Sequence, residues 1–363
     1  MSPRSQSPDR VVLAEGDPFG AHRSLAPPGA LPQQAWRLDN DFSRLFAGET
    51  LVSVETLNVD AASFAQLERA AAEAGAAGDD IDREVAHIVL RTVADRGKQH
   101  NPVTGSGGML LGTVLQAGAG RTDSVRSGDR IATLVSLSLT PLRIDAVRAV
   151  RRRSAQIDVE GEAIVFASGA CAALPADLPE RVALAALDVA GAAPQVARLV
   201  SEGSVVVVLG AGGKSGVLCA AEARRRGGPR ACIVGIEASE GAADDLRALD
   251  LCDVVVGADA RDAIGVRRAV LSATAGREAD VTFSCVNVPD AEMSAVLATR
   301  DRGVVYFFAM STSFTRAALG AEGVGKDVDL FIGNGYAHGH ADHTLAMLRD
   351  MPELRALFER RYG

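Results

Sequence analysis

From about residue 200 the chain alternates between short unbroken apolar runs and longer stretches whose apolar positions recur three and four apart. Residues 205–209, 231–236, 254–256, 281–283, 304–308 and 330–332 read as strands, and 215–226, 242–249, 262–274 and 291–299 as helices. An unbroken apolar run is what a strand covered on both faces requires. Strand–helix alternation at this spacing predicts an α/β architecture with a Rossmann-type, doubly wound parallel sheet.

The first half has a different rhythm. A loose lead-in precedes a strand at 11–14, and Pro27, Pro28, Gly29 and Pro32 mark an irregular stretch before Trp36. Residues 51–59 alternate as a strand, while 60–74 and 81–94 carry helical patterns with a small-residue turn between them. The glycine-rich segment His100-Asn-Pro-Val-Thr-Gly-Ser-Gly-Gly-Met109 leads into a strand at 110–116. Ser127-Gly-Asp-Arg130 then turns the chain into a strand at 131–137. The expected organisation is a strand-rich domain over 1–175 and a dinucleotide-type domain over 176–344. The segment 345–363 is expected to pack back on the first domain.

With 363 residues, 47% hydrophobic and 23% charged, the chain has enough apolar material for two cores. A formal net charge of −8 argues against nucleic acid as a partner. No apolar run reaches the ~18 residues of a membrane helix, and the first ten residues lack an apolar signal core. Five cysteines without paired spacing fit a reducing compartment, so a cytoplasmic location is expected. Of 38 basic residues only Lys98, Lys214 and Lys326 are lysines. Each deserves a look, because a site needing a compact ammonium or a deprotonable amine cannot accept arginine. The runs Arg151–Arg153 and Arg224–Arg226 read as solvated faces.

The strongest local motif is Val205-Val-Val-Val-Leu-Gly210-Ala-Gly-Gly213-Lys214-Ser215-Gly216. A β-branched strand runs into a glycine turn that opens a helix. Gly210 permits the turn, Gly213 lets backbone approach a pyrophosphate, and Gly216 allows close helix–strand packing. Phosphate would sit on the helix N-terminus, within reach of Lys214 and the Ser215 position. The next strand ends in Glu237, a carboxylate placed to accept ribose hydroxyls and repel a 2′-phosphate, which favours NAD over NADP. Cys285-Val286-Asn287 and Ala309-Met310-Ser311 follow later strands, where backbone contacts to the cofactor are expected.

A strand-rich half followed by a nucleotide fold resembles the medium-chain dehydrogenase/reductase superfamily, which implies a GroES-like catalytic domain. The stretch 102–112 and the Ser127-Gly-Asp-Arg130 turn resemble that superfamily's Gly-His-Glu segment and Gly-Asp-Arg turn. Ser106 stands where zinc-dependent members have histidine, and the first 170 residues contain no cysteine, so neither zinc site of those relatives can be built. Leu31-Pro-Gln, Ala35-Trp36, Leu38-Asp-Asn40, Leu57-Asn-Val-Asp60, His100–Met109 and Gly333-Asn-Gly-Tyr336 together are similar to the L-erythro-3,5-diaminohexanoate dehydrogenase family. That resemblance implies NAD-dependent oxidative deamination of a diamino acid to 5-amino-3-oxohexanoate, ammonium and NADH, by a homodimer.

Amine oxidation needs a neutral amine, so a base must first take a proton, and water must then attack the iminium. A dicationic substrate calls for carboxylates in the pocket. Asn58, Asp60 and Ser63 follow the first long strand; Asp60 is the leading base or amine ligand, with a helix N-cap before Ala61 as the competing role. Glu55 is a weaker candidate on the same strand. Thr104 and Ser106 can hydrogen-bond substrate or water, or belong to a structural turn. Tyr336-Ala-His338-Gly-His340-Ala-Asp342-His343 concentrates three of the six histidines. His340 is read as orienting substrate beside Tyr336 or relaying protons, and no metal is assigned. Lys98 and Lys326 could act as bases if burial lowers their pKa. A zinc-free enone or quinone reductase and a non-catalytic dinucleotide-binding protein share the glycine turn. Glu237 disfavours the NADPH-preferring reductase, and the remaining motif matches speak against the non-catalytic protein.

Overall fold

The computed structural model describes residues 12–59, 61–101, 105, 107–119, 125–309 and 311–363. The chain divides into two compact units between Pro175 and Ala176.

In the first unit the described residues form a six-stranded antiparallel sheet. Its spatial order is Cys171–Ala173, Arg130–Thr133, Met109–Gln116, Thr50–Asn58, Gln156–Val165 and Leu142–Arg151. The long strand Thr50–Asn58 lies centrally, so Asn58 is flanked by Met109 on one side and Gln156 on the other. One face of the sheet is covered by the helices Ala61–Glu73 and Asp80–Arg96. Val85, Val89 and Val93 recur at helical spacing and are buried with Val52, Val54, Leu57 and Leu110. Besides the short Cys171–Ala173, two long strands lie outside the sequence expectations, Leu142–Arg151 and Gln156–Val165. Their outward positions carry the ion pairs Arg143–Glu162, Arg148–Glu160 and Arg151–Asp158. The strand expected over 131–137 stops at Thr133, and a 3-10 turn follows at Leu137–Leu139.

Beside this sheet Phe42, Leu45, Leu51, Ile164 and Phe166 form a smaller cluster, and the buried Arg23 guanidinium lies 5.9 Å from the Phe42 ring centre and 5.2 Å from that of Phe46. Arg23 Nε and Nη2 donate to the two Glu49 oxygens, each at 2.8 Å. Its other donors go to Asp39 and to the Asp41 and Arg44 carbonyls. All five N–H groups are thereby used, which is what makes a buried arginine tolerable.

The second unit holds a six-stranded parallel sheet in the order Val254–Gly257, Cys232–Glu237, Val205–Leu209, Ala279–Ser284, Thr299–Phe307 and Asp329–Ile332. Numbered along the chain this is 3-2-1-4-5-6, the doubly wound arrangement. The order reverses between Val205–Leu209 and Ala279–Ser284, so a crevice is expected at their carboxyl ends. The helices Glu180–Leu187 and Ala192–Leu199 open the unit. Nearly every residue in the first of them is buried, and no single described helix is long and apolar enough to cross a membrane. The C-terminal helices His340–Asp350 and Pro352–Tyr362 pack on Glu180–Leu187. They therefore belong with the second unit, correcting the assignment of 345–363 to the first. The apolar residues Leu345, Leu348, Leu354, Leu357 and Phe358 are buried there.

Candidate functional site

In the second unit the candidate residues gather at the carboxyl edge of the parallel sheet. Gly210 follows Leu209 with φ of 72°, a left-handed conformation that glycine adopts without strain. A Cβ on Gly216 would lie 2.1 Å from the Gly210 carbonyl oxygen, so the helix Lys214–Gly227 can approach the strand only with glycine there. Around Gly213 the nearest atom to such a Cβ is at 3.3 Å, so this position is the more open one. The helix begins with Lys214, Ser215 and Gly216, whose amides have no carbonyl one turn back within it. Strand, glycine turn and helix N-terminus form a cradle that fits a dinucleotide pyrophosphate.

Glu237 ends the neighbouring strand, and its carboxylate turns back on this loop. Oε2 accepts the Gly212 amide at 2.9 Å and Oε1 accepts the Ser239 amide at 2.9 Å. Each oxygen keeps a lone pair for a ribose hydroxyl. Lys214 does not lean over the turn as the sequence implied. Its Nζ pairs with Asp188 at 2.7 Å and sits 5.4 Å from the Tyr362 ring centre. Val286 packs against Gly210, and Asn287 is exposed beyond it. The Ala309 amide reaches the Ser284 carbonyl at 3.3 Å, and Ser311 Oγ donates to the Val286 carbonyl at 3.2 Å. The loops after two adjacent strands are thus tied together at this edge; Met310 lies outside the described residues. Cys285 Sγ lies 3.7 Å from the buried Cys219 Sγ and is half-buried, in keeping with a packing role.

The histidine-rich segment divides. Tyr336 Oη meets His338 Nδ1 at 3.2 Å, and its ring stacks edge-on at 5.1 Å from His340. His340 opens the helix His340–Asp350 and is buried, which pushes its pKa below the ordinary value and leaves a neutral imidazole at pH 7. His343 turns elsewhere, its Nε2 lying 3.3 Å from the buried Glu222. Among the described residues no three histidine, cysteine or acidic side chains converge as a metal group.

In the first unit, Asn58 Oδ1 accepts from the buried Gln156 Nε2 at 3.1 Å. A Cβ on Gly108 would meet the Asn58 carbonyl oxygen at 2.3 Å, and Gly107 donates its amide to Ser136 Oγ at 3.1 Å. Gly108 is therefore laid directly on the end of the central strand. Ser63 is buried in the following helix. Asp60, Thr104 and Ser106 lie outside the described residues. Glu55 is not directed to a pocket: it accepts from Thr113 at 2.9 Å and pairs with Arg130 at 2.8 Å.

The residues just before the glycine-rich segment carry more packing than their sequence announces. Lys98 is buried, and its Nζ donates to the Pro32 carbonyl at 2.6 Å and the Gln33 carbonyl at 3.3 Å. Burial, with Arg96 nearby, brings its pKa down to about 8. The Arg96 guanidinium lies 3.8 Å above the Trp36 ring and contacts His100 Nδ1 at 2.5 Å. His100 has its pKa lowered by burial and by these two cations. Gly97 donates no space to a side chain, since a Cβ there would lie 2.1 Å from the Leu38 carbonyl oxygen. The segments around Pro32, Trp36, Leu38 and His100 are thus one packed cluster. Lys326 is a brace instead, donating to Glu278 at 2.6 Å and the Thr299 carbonyl at 2.7 Å.

Comparison with known proteins adds the following. Residues 22–175 match the model of the L-erythro-3,5-diaminohexanoate dehydrogenase N-terminal domain. The L-erythro-3,5-diaminohexanoate dehydrogenase of Acetoanaerobium sticklandii is 48% identical over 351 residues, covering 96% of this chain and 99% of that one. The enzyme of the same name from Fusobacterium nucleatum is 47% identical over 353 residues, covering 96% and 100%. Among solved structures, a mycobacterial quinone oxidoreductase aligns with TM-score 0.51 at 18% identity, covering 85% of this chain and 82% of that one. A 2-haloacrylate reductase aligns with TM-score 0.51 at 17% identity, covering 86% and 80%. These two structures share the fold of this chain.

Proposed function

We infer the activity from one premise: the chain belongs to the L-erythro-3,5-diaminohexanoate dehydrogenase family. It is an oxidoreductase that removes the 3-amino group of L-erythro-3,5-diaminohexanoate with a nicotinamide dinucleotide and water. The products are 5-amino-3-oxohexanoate, ammonium, the reduced cofactor and a proton. The observation that carries this reading is the 48% identity running through 96% of the chain, both units included.

NAD is the proposed cofactor. It would lie on the glycine turn, with pyrophosphate at Gly213, Lys214, Ser215 and Gly216 and ribose at Glu237. A carboxylate there accepts hydroxyls and repels a 2′-phosphate, which supports NAD over NADP. Such a cofactor would supply a hydride acceptor for C3 of the substrate. The chain's own work is to hold the amine neutral, keep C3 against the nicotinamide, and direct water to the iminium. Asp60 is the proposed base or amine ligand, just past the strand that ends at Asn58. Thr104 and Ser106 are proposed to orient substrate or the attacking water. His340, neutral at pH 7, is proposed to relay protons beside Tyr336. We place the enzyme in the cytoplasm, in lysine degradation, as a homodimer. The free thiols support a reducing compartment. The edge strand Asp329–Ile332, with Ile332 65% exposed, supports self-association.

The test is NADH formation from NAD and L-erythro-3,5-diaminohexanoate, with ammonium release assayed in parallel. Equal amounts of both establish the reaction. Folded, NAD-binding protein that yields neither would overturn it and turn attention to enone reduction with NADPH. Asp60→Asn should then lower turnover while leaving cofactor affinity intact; a wild-type rate reassigns the base.

A further inference from the structure

The last helix of the chain, Pro352–Tyr362, finishes against the glycine turn. Arg361 Nη1 donates to the Gly212 carbonyl at 2.6 Å. Its Nε and Nη2 donate to Asp245 Oδ2 at 3.0 and 2.6 Å. Asp245 stands on the helix Glu240–Ala248, which follows the strand ending in Glu237. On its other side, Gly212 gives its amide to Glu237 Oε2 at 2.9 Å. One residue of the turn is therefore gripped from both ends, its N–H by Glu237 and its C=O by Arg361. A Cβ at Gly212 would come within 2.9 Å of Ala242 and Glu237, so the grip leaves no side-chain space. Arg360 adds a contact to Asp245 at 2.5 Å. These arginines hold the Asp245 carboxyl below its ordinary range.

The orientation of that residue matters because an anion site made of backbone amides works only when they already point at the anion. Arg361 also brings a fixed positive charge to the loop that receives the pyrophosphate, in a guanidinium whose planar fork is aimed by a carboxylate. We propose that Arg361 is a positioning residue for the dinucleotide, locking the glycine turn in its anion-receiving form, with Asp245 as the residue that aims it. This rests on the reading of the glycine turn as the cofactor site. The final turn of the chain then sets cofactor affinity without taking part in the chemistry.

The experiment is titration calorimetry of the full chain with ADP-ribose, which carries the adenosine and pyrophosphate but no nicotinamide. Wild type, Arg361→Gln, Arg361→Lys, Asp245→Asn and the double variant Arg361→Gln/Asp245→Asn are compared. Arg361→Gln should weaken ADP-ribose by about tenfold or more, the scale of one charge-assisted hydrogen bond. Arg361→Lys should recover only part of this, since an ammonium replaces the charge but not the fork. Asp245→Asn should lose less, and the double variant should bind no more weakly than Arg361→Gln, because Asp245 acts through Arg361. In turnover, KM for NAD should rise while kcat at saturating NAD holds, a split that general loosening of the fold would not produce. Equal ADP-ribose affinity in wild type and Arg361→Gln overturns the proposal. If Arg361→Gln does not fold, Asp245→Asn decides, and unchanged affinity there overturns it. A folded wild type that binds neither ADP-ribose nor NAD brings down the cofactor-site reading itself.

Discussion

Glu237 Oε2 accepts the amide of Gly212 at 2.9 Å, so the carboxylate proposed for the ribose also braces the glycine turn. The two roles separate by substitution. Glu237→Gln keeps an acceptor for one amide and removes the charge, so NAD affinity should fall modestly while discrimination against NADP relaxes. Glu237→Ala removes both, and NAD affinity should fall by about tenfold or more. Affinities for NAD and NADP measured on both variants check this; unchanged discrimination in Glu237→Gln removes the ribose assignment.

Gly216→Ala tests the close approach of helix and strand. The added methyl would stand 2.1 Å from the Gly210 carbonyl oxygen, and a backbone atom cannot yield as a flexible side chain does. A cost of about 1–3 kcal/mol is expected, with the helix start displaced. Cofactor affinity should be lost while the far-ultraviolet circular dichroism stays near wild type. Tight NAD binding by this variant would show that the turn can relax.

Lys98 predicts a signature at alkaline pH. Burial favours its neutral amine in the folded chain, where its pKa is about 8 against 10.5 for an exposed lysine. Between those values the unfolded chain holds more protons, so stability from this group is lowest below pH 8 and rises through the window. The full difference is about 3 kcal/mol as an order of magnitude. In Lys98→Met that rise should vanish, so wild type gains stability on the variant as pH climbs through the window. Denaturant titrations across the window give the slopes, and parallel slopes for the two proteins would contradict the assignment.

Glu49 predicts the opposite limb. Although burial alone would raise it, hydrogen bonds from Arg23 and His22 bring its pKa from about 4.5 down to about 2. The folded state favours the carboxylate, so its contribution is full above about pH 4.5 and is lost as pH falls to about 2. That contribution is about 3 kcal/mol. Glu49→Gln should cost a similar amount or more at pH 7, because it leaves the buried Arg23 charge with only the half-exposed Asp39 as an ionic partner. The variant should also lose less stability than wild type on acidification, which acid titrations of both proteins would reveal.

How much of this was legible beforehand follows from the reach of each signal. The strand Val205–Leu209 and its glycine turn were plain because the instructions are local: consecutive β-branched residues and positions with no room for Cβ. The strands Leu142–Arg151 and Gln156–Val165 escaped notice, since their arginines and carboxylates read as solvated coil until paired across the ladder. The helices Glu180–Leu187 and Ala192–Leu199 escaped for a different reason. Each is alanine-rich and only eight residues long, about two turns, too short a window for a helical period to stand out.

By itself the sequence determined the doubly wound unit, the strand-rich unit before it, the glycine turn and the family. Each is written in residues close together or in segments distinctive as strings. Only the tertiary structure decided which residues those segments meet. It tied Lys98 to Pro32, Arg361 to Gly212 and His343 to Glu222, and it withdrew Glu55, Lys214 and Lys326 into ion pairs. Such partners lie tens to more than a hundred residues apart in the chain. Whether a charged group is a free reagent or a satisfied brace depends on its burial and its partners, and both are created only when the chain closes on itself.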